Sequence, residues 1–273
     1  EHDSGLLDEV QVWINTLDPQ DLKYLRQLPL AYDWVSLKEP IGVWQEPLQR
    51  NTGKFYVHTV DHDTIYVRFD DDILYLHEDA LENLISFRVA HPRYLAVFAT
   101  IWNNAITSYL MQRAGHIDDS CGTVIEPYCM DPIGWGSPEF GAHVHEVLLK
   151  HIEDDSVPDL YLKPYVLKDN LRFSISCFAF FGKDMDLWVK TPDPPQPSMP
   201  EYDEEVWLTE SLTRYYNRSS VMVGNAIVSH FSFFTQREHL LANTDILQRY
   251  TDIASRKHSA TYYDMLHAAG SEV

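Results

Sequence analysis

The segment Thr64-Ile65-Tyr66-Val67-Arg68-Phe69-Asp70-Asp71-Asp72 joins an apolar stretch directly to three consecutive aspartates. Its first six residues are mostly β-branched or aromatic, which predicts the clearest strand in the first half of the chain. Ligands of open α/β sheets bind at the carboxyl ends of strands, and carboxylate oxygens suit hard cations such as Mg²⁺ and Mn²⁺. We therefore expect the aspartates to lie at the carboxyl end of an inner strand and to hold a cation. The alternative for these aspartates taken alone is a solvated acidic turn.

Predicted strands and helices alternate along the rest of the chain. It opens with a strand at 8–15, a helix that Asp18 caps and Pro19 begins, and a second strand at 34–37. We expect Pro29 to end that first helix. Further strands are predicted at 94–99, 173–181 and 221–229, and further helices at 77–90, 104–113, 139–153, 204–216 and 238–255. This alternation predicts an α/β fold with a mainly parallel sheet flanked by helices.

A proline-rich loop at 190–200 interrupts this pattern. It has five prolines in eleven residues, too many for a helix or a central strand. Neither side of the loop looks complete alone. We therefore expect a single domain over 1–273, in which this loop bridges the face of the site.

The charge balance excludes several classes of partner. The 273 residues include 41 Asp and Glu but 21 Lys and Arg, which gives a net charge of −20. Such a protein repels phosphate backbones and anionic membranes, so we expect no nucleic-acid partner. A small phosphorylated substrate is still compatible with this negative charge when a bound cation neutralises the phosphate. No apolar run approaches the roughly 20 residues of a membrane span, and the first residues do not resemble a signal peptide. We therefore expect no membrane span in this chain and a cytoplasmic location.

A second acidic cluster, Asp203-Glu204-Glu205, opens a predicted helix that continues through Leu208 and Leu212. One of these carboxylates, pointing into a cleft, can act as a general base that deprotonates an attacking hydroxyl. The alternative is electrostatic, because the helix dipole favours acidic residues at any helix N-terminus.

Three other residue types are candidates for the same site. His230 ends the predicted strand at 221–229 and is either an imidazole ligand of the cation or a hydrogen-bonded core residue. His143 and His145 have i, i+2 spacing, which on a helix points their side chains in different directions and favours contact with solvent or an acceptor. Trp135 is a candidate to stack on an acceptor sugar, or else to close the edge of the core.

Taken in order, these features resemble the GT-A glycosyltransferases, the nucleotide-sugar-dependent transferases with an Asp-x-Asp motif. The similarity is closest to the inverting family-two type and extends from about residue 8 to residue 230. Asp70 and Asp72 match the Asp-x-Asp pattern, with Asp71 between them. The resemblance implies a GT-A (Rossmann-like) fold, with Mn²⁺ or Mg²⁺ as cofactor and with Asp70, Asp72 and His230 as metal ligands.

The acidic helix matches the family's base motif in part. Counting back from Leu208 and Leu212 places Glu205 at the base position, where the family usually has Asp, and makes Glu204 the neighbouring candidate. Ser211 stands where that motif usually has Arg. The implied activity is that of a hexosyl- or related transferase. It moves a sugar, with inversion, from a nucleotide-diphosphate sugar to a hydroxyl of a glycan or other acceptor.

The resemblance also implies residues that bind the donor. These are Asp70 and Asp71, together with Asn15 and Asn103 at the ends of predicted strands; capping of the next helix explains Asn103 equally well. The family's first strand, which binds the nucleotide base, has no counterpart here, because the strand at 8–15 looks like the family's second. We expect either that this strand lies upstream of the chain or that the base site is built differently.

Three other functions stay open at this point. A retaining GT-A enzyme would use His230 as a metal ligand and would not use Glu205 as a base. A non-catalytic α/β module would bind a divalent cation at the aspartates and nothing more. A Mg²⁺-dependent hydrolase also places aspartates at strand ends, but the order of Glu205 and His230 after the aspartates favours a transferase.

Overall fold

The structure, a computed structural model, describes residues 5–42, 48–168, 171–191 and 203–257, so most of the proline-rich loop (192–200) lies outside the described residues. The strands are β1 (Val10–Trp13), β2 (Val35–Lys38), β3 (Ile65–Phe69), β4 (Ile73–Leu76), β5 (Val97–Trp102), β6 (Tyr165–Leu167), β7 (Cys177–Phe181) and β8 (Ser220–His230). The helices are α1 (Pro19–Leu25), α2 (Leu28–Ala31), α3 (Ala80–Ala90), α4 (Ala105–Ala114), α5 (Pro138–Glu153), α6 (Gly182–Trp188), α7 (Glu204–Val206), α8 (Leu212–Tyr216), α9 (Phe234–Asn243) and α10 (Ile246–Lys257). Two 3-10 helices (Leu48–His58 and Val157–Leu160) and a π-helical turn (Trp207–Ser211) complete the described elements.

The larger sheet is mixed, so the α/β class is confirmed but the prediction of a mainly parallel sheet is wrong. Its strands follow the order β3-β7-β5-β8-β4, and β6 pairs with the first residues of β8. Within the described residues β5 and β8 pair in parallel, whereas the other four pairings of this sheet are antiparallel. A parallel neighbour needs a long crossover connection. The alternation of elements predicts the class of fold but not the direction in which each strand enters the sheet.

The first two strands form a small sheet of their own. β1 and β2 pair in parallel, from Val10 opposite Val35 to Trp13 opposite Lys38, with α1 and α2 between them in the chain. The predicted β-α-β opening is therefore confirmed. The prediction that Pro29 ends the first helix is wrong, because Pro29 lies in the first turn of α2, where its missing N–H leaves no hydrogen bond unmade.

The three aspartates cross the edge of the sheet at which β3, β5 and β8 end. These three strands run in one direction, so their last residues, Phe69, Trp102 and His230, lie toward the same edge. β4 begins beside His230 on the far side of β8. The prediction of an inner strand before the aspartates is wrong, since β3 is an outer strand. The prediction that the aspartates follow the carboxyl end of a strand is confirmed.

Helices cover both faces of the sheet. Along β8, Ile227 packs in one apolar cluster and Val228 in another, as expected when successive side chains of a strand point to opposite faces. The first cluster includes residues of α5 and α10, such as Phe140 and Tyr250. The second includes residues of α3, α6 and α8. None of the described helices is both long and apolar enough to cross a membrane.

Candidate functional site

The acidic turn is anchored at both of its ends. The Asp70 N–H donates to the Ser176 carbonyl oxygen over 3.0 Å, and the Asp72 carbonyl oxygen accepts from the Phe231 N–H over 2.9 Å. Asp71 lies between them with an exposed side chain. From this anchored main chain, Asp70 and Asp72 reach different sets of neighbours.

Asp72 lies beside His230, as the resemblance implied. The Asp72 Oδ2 atom is 3.5 Å from His230 Nε2 and 2.5 Å from a terminal nitrogen of Arg237. Burial alone opposes ionisation of Asp72, but the hydrogen bond and charge of His230, together with the charge of Arg237, outweigh it and lower the pKa of this carboxyl. The side chains of Asp72 and His230 are mostly buried, whereas that of Arg237 is 48% exposed. We call Asp72, His230 and Arg237 the open half of the site.

Both ring nitrogens of His230 face oxygen acceptors. Its Nδ1 atom is 3.4 Å from the Asn103 carbonyl oxygen, an acceptor to which one of the two neutral tautomers donates. In that tautomer the Nε2 lone pair points toward the Asp72 carboxylate, whereas the other neutral tautomer and the imidazolium place a hydrogen there. Two lone pairs that face each other repel, unless a proton or another cation lies between them. A backbone carbonyl on the far nitrogen is also the usual partner of a metal-ligating histidine.

Asp70 belongs instead to a network in which each carboxylate is paired with an arginine. A terminal nitrogen of Arg68 lies 2.9 Å from Asp70 Oδ1 and 3.6 Å from Glu204 Oε2. The Tyr56 hydroxyl donates to Glu204 Oε1 over 2.5 Å. Arg68 and Glu204 are about nine-tenths buried. This pairing links the acidic turn to the start of the acidic helix, which the sequence placed 130 residues later.

Glu205 lies in the same network through Arg172. The Nε atom of Arg172 donates to Glu205 Oε1 over 2.5 Å, and a terminal nitrogen lies 2.7 Å from Asp203 Oδ2. Burial raises the pKa of Glu205, and the negative charges of Asp203 and Asp70 raise it further. Arg172 lowers this pKa but does not cancel the increase. We call Asp70, Arg68, Arg172 and the acids of the 203–205 cluster the paired half of the site.

The helix that carries Glu205 is distorted near it. α7, the π-helical turn Trp207–Ser211 and α8 make one helical run, which confirms the predicted helix at 204–216. π-helical turns are rare and occur frequently at functional sites. Leu208 and Leu212 are both buried in the core. Asp203 caps this run by accepting from the Val206 N–H over 3.1 Å, so the electrostatic interpretation of this acidic start holds as well.

Asn103 lies beneath the open half and does not cap the following helix. Asn104 caps α4, accepting from the N–H groups of Ile106 and Thr107. Asn103 is buried with φ of +59°, a conformation rare for a residue other than glycine. Its Nδ2 atom donates to the Phe231 carbonyl oxygen over 2.9 Å, and no described residue pairs with its buried Oδ1 atom. The structure thus gives Asn103 a role in holding the site.

Asn15 lies just after β1, outside the larger sheet. Its neighbourhood reaches the paired half through aromatic contacts. Trp13 packs edge-on against Tyr56, with ring centroids 5.2 Å apart, and Tyr56 donates to Glu204. The Asn15 Oδ1 atom is buried without a described hydrogen-bond partner. The predicted donor-binding role of Asn15 stays a prediction.

The side chains of the open half fit a divalent cation that arrives with a phosphate. The described residues contain no group of three or more His, Cys, Asp or Glu that can hold a metal by themselves. Asp72 and His230 would supply two ligands, while Asp70 is engaged by Arg68. Mg²⁺ in phosphate-binding sites is usually held by one or two carboxylates together with substrate phosphates and water. These two ligands therefore fit an ion that is shared with a bound phosphate, and not one that the protein holds permanently.

Sequence reasoning missed the three arginines of the site and misplaced one histidine. Arg68, Arg172 and Arg237 follow no spacing rule, although Arg68 stands out as the one charge in an apolar strand. His145 contacts neither solvent nor a cleft, because it is fully buried and its Nε2 lies 2.8 Å from the Phe231 carbonyl oxygen. Trp135 packs edge-on against the exposed Phe234, with ring centroids 5.1 Å apart, near the open half.

No family model, curated protein or solved structure matches this chain.

Proposed function

We propose that this chain is a metal-dependent glycosyltransferase of the GT-A type, which moves a sugar from a nucleotide-diphosphate sugar to an acceptor hydroxyl with inversion. The observation that carries the proposal is the pair formed by Asp72 and His230. His230 Nε2 faces Asp72 Oδ2 over 3.5 Å, so an imidazole nitrogen and a carboxylate oxygen lie together as two possible ligands of one cation, in place of the proton that can otherwise lie between them. The order of aspartates, acidic helix and histidine along the chain supports the same assignment.

The roles of the residues follow from their charges. Asp72 and His230 are the residues that would hold the cation, whose contribution is Lewis-acid stabilisation of the departing diphosphate. Glu205 accepts the proton of the acceptor hydroxyl while the oxygen attacks the anomeric carbon and the bond from that carbon to the diphosphate breaks. The raised pKa of Glu205 makes it a stronger base at neutral pH than an ordinary carboxylate. Asp70, tied to Arg68, is left to contact the donor through its second oxygen.

A retaining reaction is the second candidate, and one observation favours it. In retaining GT-A enzymes a late histidine is expected at the metal, and His230 does lie beside Asp72. Arg172 also holds one oxygen of Glu205, which limits its approach to an acceptor. The anomeric configuration of the product separates the two reactions directly.

The fold itself lends less support than the site does. The resemblance implied a mainly parallel sheet, whereas four of the five pairings in the larger described sheet are antiparallel. The proposal therefore depends on the residues at the carboxyl edge, and its test must address them.

A thermal-shift screen of nucleoside diphosphates and nucleotide sugars, with and without Mn²⁺, tests the proposal. A ligand present at 100 times its Kd stabilises the protein by about 2.7 kcal/mol. Asp72→Asn should abolish the Mn²⁺-dependent part of this shift. Asp63→Asn is the matched control, because it removes the same charge from an exposed side chain at the opposite end of β3. The proposal fails if no nucleotide stabilises the protein with Mn²⁺ present, or if both variants respond alike.

A further inference from the structure

The main chain of Phe231 connects the two ligands of the open half. Its N–H donates to the Asp72 carbonyl oxygen over 2.9 Å. Its carbonyl oxygen accepts from His145 Nε2 over 2.8 Å and from Asn103 Nδ2 over 2.9 Å. Because Phe231 follows His230 directly, a displacement of its main chain changes the separation between His230 and Asp72.

His145 reaches Phe231 from α5 and is itself oriented by two hydroxyl groups. Since its Nε2 faces a carbonyl, Nε2 carries the hydrogen and Nδ1 accepts. The Tyr250 hydroxyl donates to Nδ1 over 3.2 Å, and the Ser229 hydroxyl donates to the Tyr250 oxygen over 3.1 Å. Burial lowers the pKa of His145 to about 4, which keeps this imidazole neutral at pH 7.

Asn103, the residue after β5, supports the same carbonyl. Its Nδ2 atom also donates to the Oε1 atom of the fully buried Gln236 over 3.0 Å. Backbone strain such as its positive φ persists only where the surroundings impose it. The carbonyl oxygen of Asn103 in turn faces His230 Nδ1. Two buried side chains from different elements thus converge on one peptide between the ligands.

We propose that His145 is a positioning residue of the candidate site, which fixes the separation of Asp72 and His230 through the Phe231 carbonyl. This inference rests on the proposed function. Packing alone does not require a histidine here, because a leucine fills a similar volume without a buried polar group that must be satisfied. Partners that orient metal ligands from outside typically change metal affinity by 10–100-fold when they are lost.

Two substitutions at His145 separate positioning from packing. His145→Leu removes the hydrogen bond, whereas His145→Gln retains an amide N–H that can reach the same carbonyl. His151→Leu is the control: His151 lies on the same helix and hydrogen-bonds Ser156, away from the site. The first measurement is hydrogen exchange of the Phe231 amide by NMR, relative to that of core amides. The second is the calorimetric affinity for UDP and for GDP with saturating Mn²⁺, and for Mn²⁺ alone.

We expect His145→Leu to speed exchange of the Phe231 amide more than that of core amides, and to weaken Mn²⁺-dependent nucleotide binding by 10–100-fold. His145→Gln should recover most of both properties, and His151→Leu should change neither. A folded His145→Leu protein with wild-type exchange and wild-type affinity overturns the proposal.

Two further outcomes are distinguishable. If the wild-type protein binds neither nucleotide with Mn²⁺, the proposed function fails, while exchange at Phe231 still decides whether His145 positions this peptide. If His145→Leu does not fold, Tyr250→Phe, which removes the hydroxyl that orients His145, replaces it. Wild-type exchange at Phe231 in that variant would also overturn the proposal.

Discussion

Asp70 and Asp72 are two residues apart in one acidic turn, yet their surroundings differ in kind. Asp70 pairs with Arg68, which is mostly buried and also lies near Glu204. Asp72 pairs with the half-exposed Arg237 and faces the Nε2 atom of His230. The paired half contains four carboxylates and two arginines, from Asp70, Asp203, Glu204, Glu205, Arg68 and Arg172.

This difference indicates that the two halves of the site have different chemical roles. In the paired half the carboxylates outnumber the arginines, and the excess negative charge combines with burial to raise the pKa of Glu205. That half suits a proton acceptor. In the open half the arginine can leave, because Arg237 is 48% exposed and His230 still faces Asp72 when it does. That half suits a cation that comes and goes with its ligand.

The largest effect is expected when the proton acceptor is removed. Glu205→Gln should lower turnover by about 10²–10⁴-fold, the usual contribution of general-base catalysis, and leave donor affinity nearly unchanged. Glu210→Gln is the control, since Glu210 lies on the same helical run and pairs only loosely with Arg214, at 4.0 Å. Transfer kinetics with each acceptor tested provide the measurement. Wild-type turnover in Glu205→Gln would move the role to Glu204 or Asp203, or favour a retaining reaction.

The second effect concerns stability and compares two arginines that bind the same turn. Arg68→Met leaves Asp70 and Glu204 without a cationic partner in a mostly buried place. Breaking a fully buried pair costs about 3–5 kcal/mol, and since Asp70 is 28% exposed we expect about 2–3 kcal/mol. Arg237→Met should cost less than about 1 kcal/mol, because Arg237 is 48% exposed and the mostly buried Asp72 keeps His230 as a partner. Urea unfolding of both variants measures the difference, and equal losses would contradict the division into two halves.

The third effect is a gain in affinity for Mn²⁺. Arg237 and a divalent cation compete for the same Asp72 oxygen, so Arg237→Met should bind Mn²⁺ alone more tightly than the wild-type protein does. An exposed ion pair contributes up to about 1 kcal/mol, which corresponds to roughly fivefold in affinity. Titration calorimetry with Mn²⁺ gives the result, and Arg214→Met, on an exposed pair elsewhere, is the control. Unchanged or weaker Mn²⁺ binding would show that Arg237 does not compete for Asp72.

The sequence predicts the local parts of this site better than their arrangement. The strand before Asp70, the helix at 204–216 and the strand that ends at His230 follow from side-chain periodicity and capping, and all three are present. Strand direction depends on long-range pairing, which periodicity does not encode, so the mixed sheet was missed. The predicted helix at 238–255 is two helices, because Thr244 has an extended backbone between α9 and α10.

Of the two neighbours of Asp72, the sequence predicted His230 but not Arg237, and the reason is physical. His230 is identifiable because it ends an apolar strand at the edge where ligands bind. Arg237 and Arg172 lie outside any motif, since an arginine reaches its partner through a long flexible side chain. His145 was misjudged because its spacing from His143 suggested a surface, whereas the helix turns it toward β8.

The smallest expected effect is a contrast in the pH dependence of stability. The folded protein lowers the pKa of Asp72, so ionised Asp72 contributes stability that is present above its unfolded value, near pH 4, and lost as pH falls through the lowered pKa. Asp72→Asn should therefore reduce Tm at pH 7 and make no difference in strong acid. Glu205 behaves in the opposite way, because its pKa in the folded protein is raised. Its contribution is complete below the unfolded value and lost as pH rises through the raised one.

Glu205→Gln should accordingly raise Tm at pH 7, and its advantage should disappear as the pH falls toward 4. A change of 1 kcal/mol shifts Tm by about 2–4 °C in a protein of this size, so we expect opposite shifts of no more than about 4 °C. Calorimetric scans of both variants between pH 4 and pH 8 test the signs. If Glu205→Gln is more stable than the wild-type protein and has reduced turnover, the Glu205 carboxylate lowers the stability of the folded protein. Such a cost in stability is expected of a catalytic base. A destabilised Glu205→Gln protein means that its pair with Arg172 is structural, and the division between the two halves would then lose its chemical meaning.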